Sequence, residues 1–242
     1  MRKLLKNVKP LVERLFDVRI YSARPHGRDD CHDLQRAGVP IRMIFDVGAH
    51  VGESARKFHH AFPEATIHSF EPVSRAFAQL RQNVADQPKT HCHPLALSDS
   101  EGTASIYLTE HSTTSSLMRP EYTTGEESVR VTTVDAFASA NGIDRIDLLK
   151  VDAEGHDLNV LRGAAAMLDG GRVAFVLAEV GFARAQPPHV LFDDVRDLLA
   201  AHRFAVFGIY DQQLEWSGEN RLRYANACFC HESVVNTRRP LT

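Results

Sequence analysis

The chain has 242 residues, 43% of them hydrophobic, enough for one sizeable α/β domain and too few for two full ones. A formal charge of −3 argues against a general nucleic-acid binder. The four cysteines, Cys31, Cys92, Cys228 and Cys230, contain no C-x-x-C pair and fit neither a zinc site nor a disulfide framework, so reduced thiols in a cytoplasmic protein are expected.

No apolar run approaches the ~20 residues that span a bilayer. No signal peptide is expected either, because Leu4-Leu5 is interrupted at once by Lys6, Asn7 and Lys9. Residues 1–20 read as a basic helix or helix pair divided near Pro10. Its apolar side (Leu4, Leu5, Val8, Leu11, Val12, Leu15, Phe16) is expected to pack on its own domain rather than on an anionic membrane, and it could also serve a homodimer contact. Residues 21–40 are rich in turn formers, with a short helix at 29–37. Together, 1–40 form an N-terminal helical extension ahead of a domain at 41–242.

From residue 41 the chain alternates strand and helix. Strands are expected at 41–47, 65–70 and 90–97, with helices at 52–62 and 73–85 between them. This βαβαβ order implies a parallel sheet with right-handed crossovers. A half-wet strand at 102–109 follows, then a polar stretch at 111–128 that is long enough to suggest a substrate lid. Further strands are expected at 129–134, 146–151 and 173–178, and helices at 135–141, 157–168 and 189–201. Strands 204–209 and 222–230 have a joint short enough for an antiparallel hairpin.

Four of these strands end in an acid: Asp46, Glu71, Asp152 and Glu179. In an open parallel sheet all carboxyl ends lie on one edge, and ligands bind there where the strand order reverses. The first strand runs into Gly48 and Gly52, a plausible nucleoside cradle, and Glu71 stands 23 residues after Gly48, where a carboxylate can hold both ribose hydroxyls. His50 occupies the place of the middle glycine that admits a pyrophosphate, which disfavours a nicotinamide-dependent oxidoreductase. A nucleoside without phosphates, S-adenosylmethionine, fits better, with Asp46 suited to its cationic end. His91 and His93 would share a strand face as metal ligands might, but no acid completes a site.

The run Ile44-Phe-Asp-Val-Gly-Ala-His-Val-Gly-Glu-Ser54, then Phe70-Glu-Pro72, Ala96-Leu-Ser-Asp99 and Asp147-Leu-Leu-Lys-Val-Asp-Ala-Glu-Gly155, resembles the FkbM family of S-adenosylmethionine-dependent methyltransferases. Leu161-Arg-Gly-Ala164 and Ala178-Glu-Val180 extend the resemblance, which covers residues 40–182. It departs from the family at His50, where members usually carry Asn.

The resemblance implies the class I (Rossmann-like) methyltransferase fold, a seven-stranded, mainly parallel sheet with an antiparallel C-terminal hairpin. It implies O-methylation of a hydroxyl on a sugar, a glycan or a macrolide-like secondary metabolite. A non-catalytic nucleoside-binding scaffold in glycan assembly is the alternative. By position, Asp46, Gly48 and Gly52 would hold the methionine part of the cofactor, with Ala49, His50, Ser54 and Asp152 also among the cofactor-binding residues and the contact of His50 open between cofactor and substrate. Glu71 and Pro72 would meet the ribose, and Ala96, Leu97 and Ser98 the adenine. Asp152 is the leading candidate for general base, with Glu154, His156 and Glu179 as competitors. Asp152 with Glu179 could also hold Mg2+. The expected partner is a small-molecule or glycan acceptor, with no nucleic acid.

Overall fold

A computed structural model describes residues 25–108, 123, 125–183, 189–214 and 221–235. The basic segment 1–20 and nearly all of the polar stretch 111–124 lie outside them. Helix α1 (Asp30–Arg36) precedes β1 (Met43–Val47), α2 (Glu53–Ala61), β2 (Thr66–Phe70), α3 (Ser74–Asn83) and β3 (Thr90–His93). Then come β4 (Ala96–Leu97), β5 (Gly102–Leu108), β6 (Gly125–Thr132), α4 (Val134–Ala140) and β7 (Ile146–Val151). The chain continues through α5 (Asp157–Arg162), α6 (Ala165–Asp169), β8 (Val173–Gly181), α7 (Phe192–Ala201), β9 (Phe204–Leu214), β10 (Leu222–His231) and α8 (Glu232–Val235).

The main sheet has seven strands in the order β3-β2-β1-β7-β8-β10-β9. The pairings from β3 to β8 are parallel, and β10 runs antiparallel to both β8 and β9. Both faces of the parallel part are covered, which is why its central strands are predominantly apolar. On one face Ile44, Ile67, Leu148 and Phe175 pack with Leu34 of α1 and Phe58 of α2. On the other, Phe45, Val47, Leu149 and Val176 pack with Phe137, Val160, Leu168, Val195 and Leu199 from α4 to α7. The expected architecture is therefore the observed one. Helix α1 shares a core cluster with Ile44 and Leu148, so residues 30–36 pack on the sheet. None of the described helices is long and apolar enough to cross a membrane. None of the four cysteines is in a disulfide among the described residues, and three of them are buried.

Several element boundaries differ from expectation, each for a local reason. The single strand expected at 90–97 breaks at Pro94, which has no N–H for a ladder. Its second half, β4, joins a separate three-stranded sheet in the order β4-β6-β5. Residues 125–128, expected in the polar loop, extend β6 by pairing with β5. The helix expected at 157–168 divides after Arg162. There the chain runs against Ser98: a Cβ on Gly163 would lie 1.9 Å from the Ser98 carbonyl oxygen. The carboxylate of Asp135 restarts the helix by accepting from the amides of Ala166 and Met167 at 2.8 and 2.9 Å. Strand β8 continues past Glu179 because the β10 ladder persists, pairing Glu179 with Asn226 and Gly181 with Tyr224.

Chain order reverses between β1 and β7, and Gly48 marks the place. Its φ is +70°, and a Cβ there would sit 1.8 Å from the Asp152 carbonyl oxygen. This glycine is required by the close approach of a neighbouring strand end as well as by the turn. Gly48→Ala should cost about 2–5 kcal/mol in urea unfolding, combining overpacking with positive-φ strain. Gly38→Ala, also at positive φ but with nothing within 4 Å of the added Cβ, should cost only about 1 kcal/mol.

Candidate functional site

The register of the parallel strands sets the site. Val47 is level with Phe70 of β2 and Val151 of β7, and Val151 is level with Ala178 of β8. The next residues along each strand, Glu71, Gly48, Asp152 and Glu179, therefore form a row along the carboxyl edge. Adjacent strands lie about 4.8 Å apart, so the row gathers groups from four strands at one rim. A cavity of about 250 Å3 opens above it, at the reversal of strand order.

Gly48, Ala49, His50 and Ser54 line one wall. Glu71, Pro72, Ala96 and Leu97 line another, and Asp152 and Glu154 close the third side. Ten of the residues expected at the site thus surround one cavity.

Glu71 ties two loops together. One carboxylate oxygen accepts from the His50 amide at 2.9 Å and the other from the Val73 amide at 2.8 Å. The side chain is buried, and burial pushes its carboxyl up to about 6 despite these two bonds. Each carboxylate oxygen can accept more than one bond, so two hydroxyl donors can still be received from the cavity. His50 reaches this bond from a left-handed backbone, φ 46°, and Glu154 stands at φ 48°. Side chains other than glycine rarely adopt that conformation, and both residues face the cavity.

Asp46, Gly52, Ser98, His156 and Glu179 are not on the cavity wall. Asp46 points from β1 into the sheet's covered face and is fully buried, because alternation along a strand turns it away from Val47. Gly52 is the N-cap of α2 at φ 92°, where a Cβ would meet Leu80 at 2.9 Å, so it serves helix packing. Ser98 Oγ lies 2.8 Å from His156 Nε2, and the two border a second, hydroxyl-rich cavity of about 320 Å3 with Ser100, Thr103, Ser105 and Tyr107. Glu179 continues the edge row, but its carboxylate meets His189 Nδ1 at 3.0 Å.

Lys150 and Asp157 have roles that spacing alone did not reveal. Lys150 is buried level with Asp46, with its Nζ 3.3 Å from both Asp46 and Asp152. The same Nζ donates to the Gly48 carbonyl at 3.0 Å. Burial works against its charge, but the two carboxylates outweigh this and hold its pKa above the ordinary lysine value. Asp157 accepts from the amides of Ala153 and Gly155 at 3.1 and 3.2 Å, shaping the turn that presents Glu154. Burial raises the Glu154 carboxyl to about 8, with Asp152 and Glu179 adding to it. The signal for Lys150 was a charged residue one place from the carboxyl end of a fully buried strand.

This donor set does not fit Mg2+. The carboxylate of Asp152 faces an ammonium and that of Glu179 faces an imidazole, so neither is turned to a shared cation. Among the described residues, the group spaced for a metal is Asp29, Asp30 and Cys31, where Asp30 pairs with Lys57 at 2.8 Å. His91 and His93 do share a face, with His68: the rings of His68 and His93 stack 5.2 Å apart beside Phe137, an aromatic core without acids.

Comparison with known proteins adds the following. The family described as the methyltransferase FkbM domain matches residues 46–206. The 2-O-methyltransferase NoeI of Sinorhizobium fredii is 28% identical over 56% of this chain and 63% of its own. The 31-O-demethyl-FK506 methyltransferase FkbM of Streptomyces tacrolimicus is 30% identical over 60% of this chain and 68% of its own. The hexuronic acid methyltransferase AglP of Haloferax volcanii is 26% identical over 57% of this chain and 55% of its own. The match thus spans somewhat more than half of this chain and between about half and two thirds of these relatives.

The buried cation has a direct test. Lys150→Met leaves the buried Asp46 without its counter-charge and should destabilise the fold by about 3–5 kcal/mol in urea unfolding. Adding Asp46→Asn should recover part of that loss, since the uncompensated group is then neutral. If Asp46→Asn changes stability by the same amount alone as it does beside Lys150→Met, the pair is not coupled.

Proposed function

The chain belongs to the FkbM methyltransferase family, and from that premise we propose that it transfers the methyl group of S-adenosylmethionine to a hydroxyl of a sugar or glycan. The observation that carries the donor assignment is the charge of the cavity wall. Glu53, Glu71 and Asp152 line it, and the lysine beside them, Lys150, is already shared between two carboxylates. A pyrophosphate would meet net negative charge there, whereas a sulfonium with an ammonium group would be favoured. His50 also adds a side chain where a phosphate would need open backbone amides.

The bound donor would supply an electrophilic methyl group. The protein's own contribution is placement. Glu71, fixed by two amides, would receive the ribose hydroxyls, and Leu97 with Ala96 would offer an apolar surface to the base. Gly48 and its neighbours would hold the amino-acid end, close to Asp152. Aligning an acceptor oxygen behind the methyl can contribute up to about 7–11 kcal/mol in ideal cases.

The sugar assignment draws on the names of the relatives, among them a 2-O-methyltransferase and a hexuronic acid methyltransferase. The similarity to a 31-O-demethyl-FK506 methyltransferase supports a second reading, a macrolide-like acceptor. A screen with labelled methyl donor against oligosaccharides, uronic acids and macrolides separates the two. Label in the saccharide fractions is expected. Label only in macrolides would replace the first reading with the second.

Calorimetry with S-adenosylhomocysteine and NAD tests the donor. The former should bind and NAD should not; the reverse would end the assignment. Glu71→Ala should weaken S-adenosylhomocysteine at least about tenfold by removing charge-assisted hydrogen bonds. The wild-type affinity should fall as pH drops through about 6, where the raised Glu71 carboxyl takes up a proton. A Glu71→Ala protein should lack that limb.

A further inference from the structure

We propose that His189, oriented by Glu179, is the general base that takes the proton of the acceptor hydroxyl, an inference that rests on the methyl-transfer reading above. Glu154 lines the cavity, but burial and its acidic neighbours raise its carboxyl to about 8, so near neutral pH it already carries a proton. The other candidates are engaged elsewhere. Asp152 is engaged by the Lys150 ammonium at 3.3 Å. His156 is turned to Ser98 beside the second cavity. The carboxylate of Glu179 is engaged with an imidazole.

His189 is placed by three independent contacts. Its Nδ1 is 3.0 Å from Glu179 Oε2, its ring lies 4.7 Å from that of Tyr224 at a 30° tilt, and its Cβ rests over Gly181. Gly181 is what seats it: a Cβ there would come within 3.3 Å of the His189 Cβ. The chain returns at this point through the Gly181 amide, which donates to the Val190 carbonyl at 2.8 Å. Glu179, Gly181 and Tyr224 lie on one face of the sheet, the face that also carries Lys150 and Asp152. Glu179 is one strand beyond Asp152, about 4.8 Å along the edge row, and the imidazole it holds interacts with Asp152 and Glu154, both on the cavity wall. Its ring is largely shielded, with 14% of the side chain exposed, which suits a proton acceptor that must work out of bulk water.

A carboxylate on Nδ1 fixes the tautomer with its proton there, leaving Nε2 as the acceptor. The step balances. The acceptor oxygen forms a bond to the methyl carbon as the carbon–sulfur bond of the sulfonium breaks, its electron pair passing to sulfur. The hydroxyl proton passes to Nε2, and the imidazolium gives it to water after the product leaves. The charge lost at sulfur thus reappears on an imidazole that Glu179 stabilises. The groups facing His189 are Glu179, Glu154 and Asp152, which all favour its protonated form, together with Tyr224, over which Arg223 lies at 5.6 Å. The hydrogen bond to Glu179 outweighs burial and raises the pKa above 6.5. The neutral, proton-accepting form therefore gains population as pH rises past the ordinary histidine range.

The test joins a spectroscopic readout to a kinetic one. Imidazole 15N chemical shifts of the full-length protein should show His189 protonated on Nδ1 and titrating above 6.5, with Glu179→Gln moving that titration down toward 6.5. With labelled methyl donor and the acceptor from the screen, His189→Gln should lose about 10²–10⁴-fold in turnover. Its affinity for S-adenosylhomocysteine should stay within about threefold, as expected of a residue outside the cofactor contacts. In Glu179→Gln the acid limb of the rate profile should shift to lower pH, and imidazole added to His189→Ala should restore part of the rate. Full turnover by His189→Gln, or a His189 titration unchanged in Glu179→Gln, would overturn the proposal. Failure of the wild-type protein to bind S-adenosylhomocysteine would instead refute the methyl-transfer reading beneath it.

Discussion

Parallel pairing places Phe70, Val47, Val151 and Ala178 level with one another, and the candidate site depends on that alignment. Each strand then contributes one residue to a common rim. A slip of one residue in β7 would turn Asp152 to the opposite face and bring Val151 or Ala153 to the rim. The register is held at the far end too. Asp147, near the start of β7, accepts from the amides of Arg42 and Met43 at 2.8 and 3.0 Å and from Arg145 at 2.8 Å. The same motif therefore fixes β7 at its base through Asp147 and presents Asp152 at its top.

Beneath the rim, Lys150 reconciles two requirements that conflict. A cavity suited to a cation needs negative charge, and negative charge at the end of a buried strand is costly to desolvate. One buried ammonium shared between Asp46 and Asp152 offsets that cost from the cavity floor. Its bond to the Gly48 carbonyl also braces the turn. Asp46 is thus part of the floor's electrostatics, below the rim and off the cavity wall.

The architecture was legible because it rests on periodicity. Apolar strands, intervening helices and the final hairpin follow from buried and exposed positions alone. Boundaries failed where a single tertiary contact decided them: Pro94 ended β3, and the Ser98 carbonyl against Gly163 divided a helix. At the site, sequence reading located ten wall residues from strand ends and glycine turns. It did not foresee that Ser98 and His156 meet beside a second cavity, through a mutual bond that spans 58 residues and carries no local signature. It missed His189 for the same reason. A lone histidine after a strand gives no sign that a glycine eight residues earlier makes room for it beside a carboxylate. The two left-handed residues at the rim, His50 and Glu154, were likewise invisible until the backbone was known.

The central claim is that the rim formed by Glu71, Gly48 and Asp152 receives the methyl donor. Amide hydrogen exchange with and without S-adenosylhomocysteine tests it most directly, because the loops at that rim carry their own backbone probes. Slowed exchange is predicted in residues 47–54, 70–73 and 95–97, including the His50 and Val73 amides bound to Glu71, with no change in β9 and β10. Protection confined to the second cavity at 98–107, with 47–54 and 70–73 unaffected, would contradict the account.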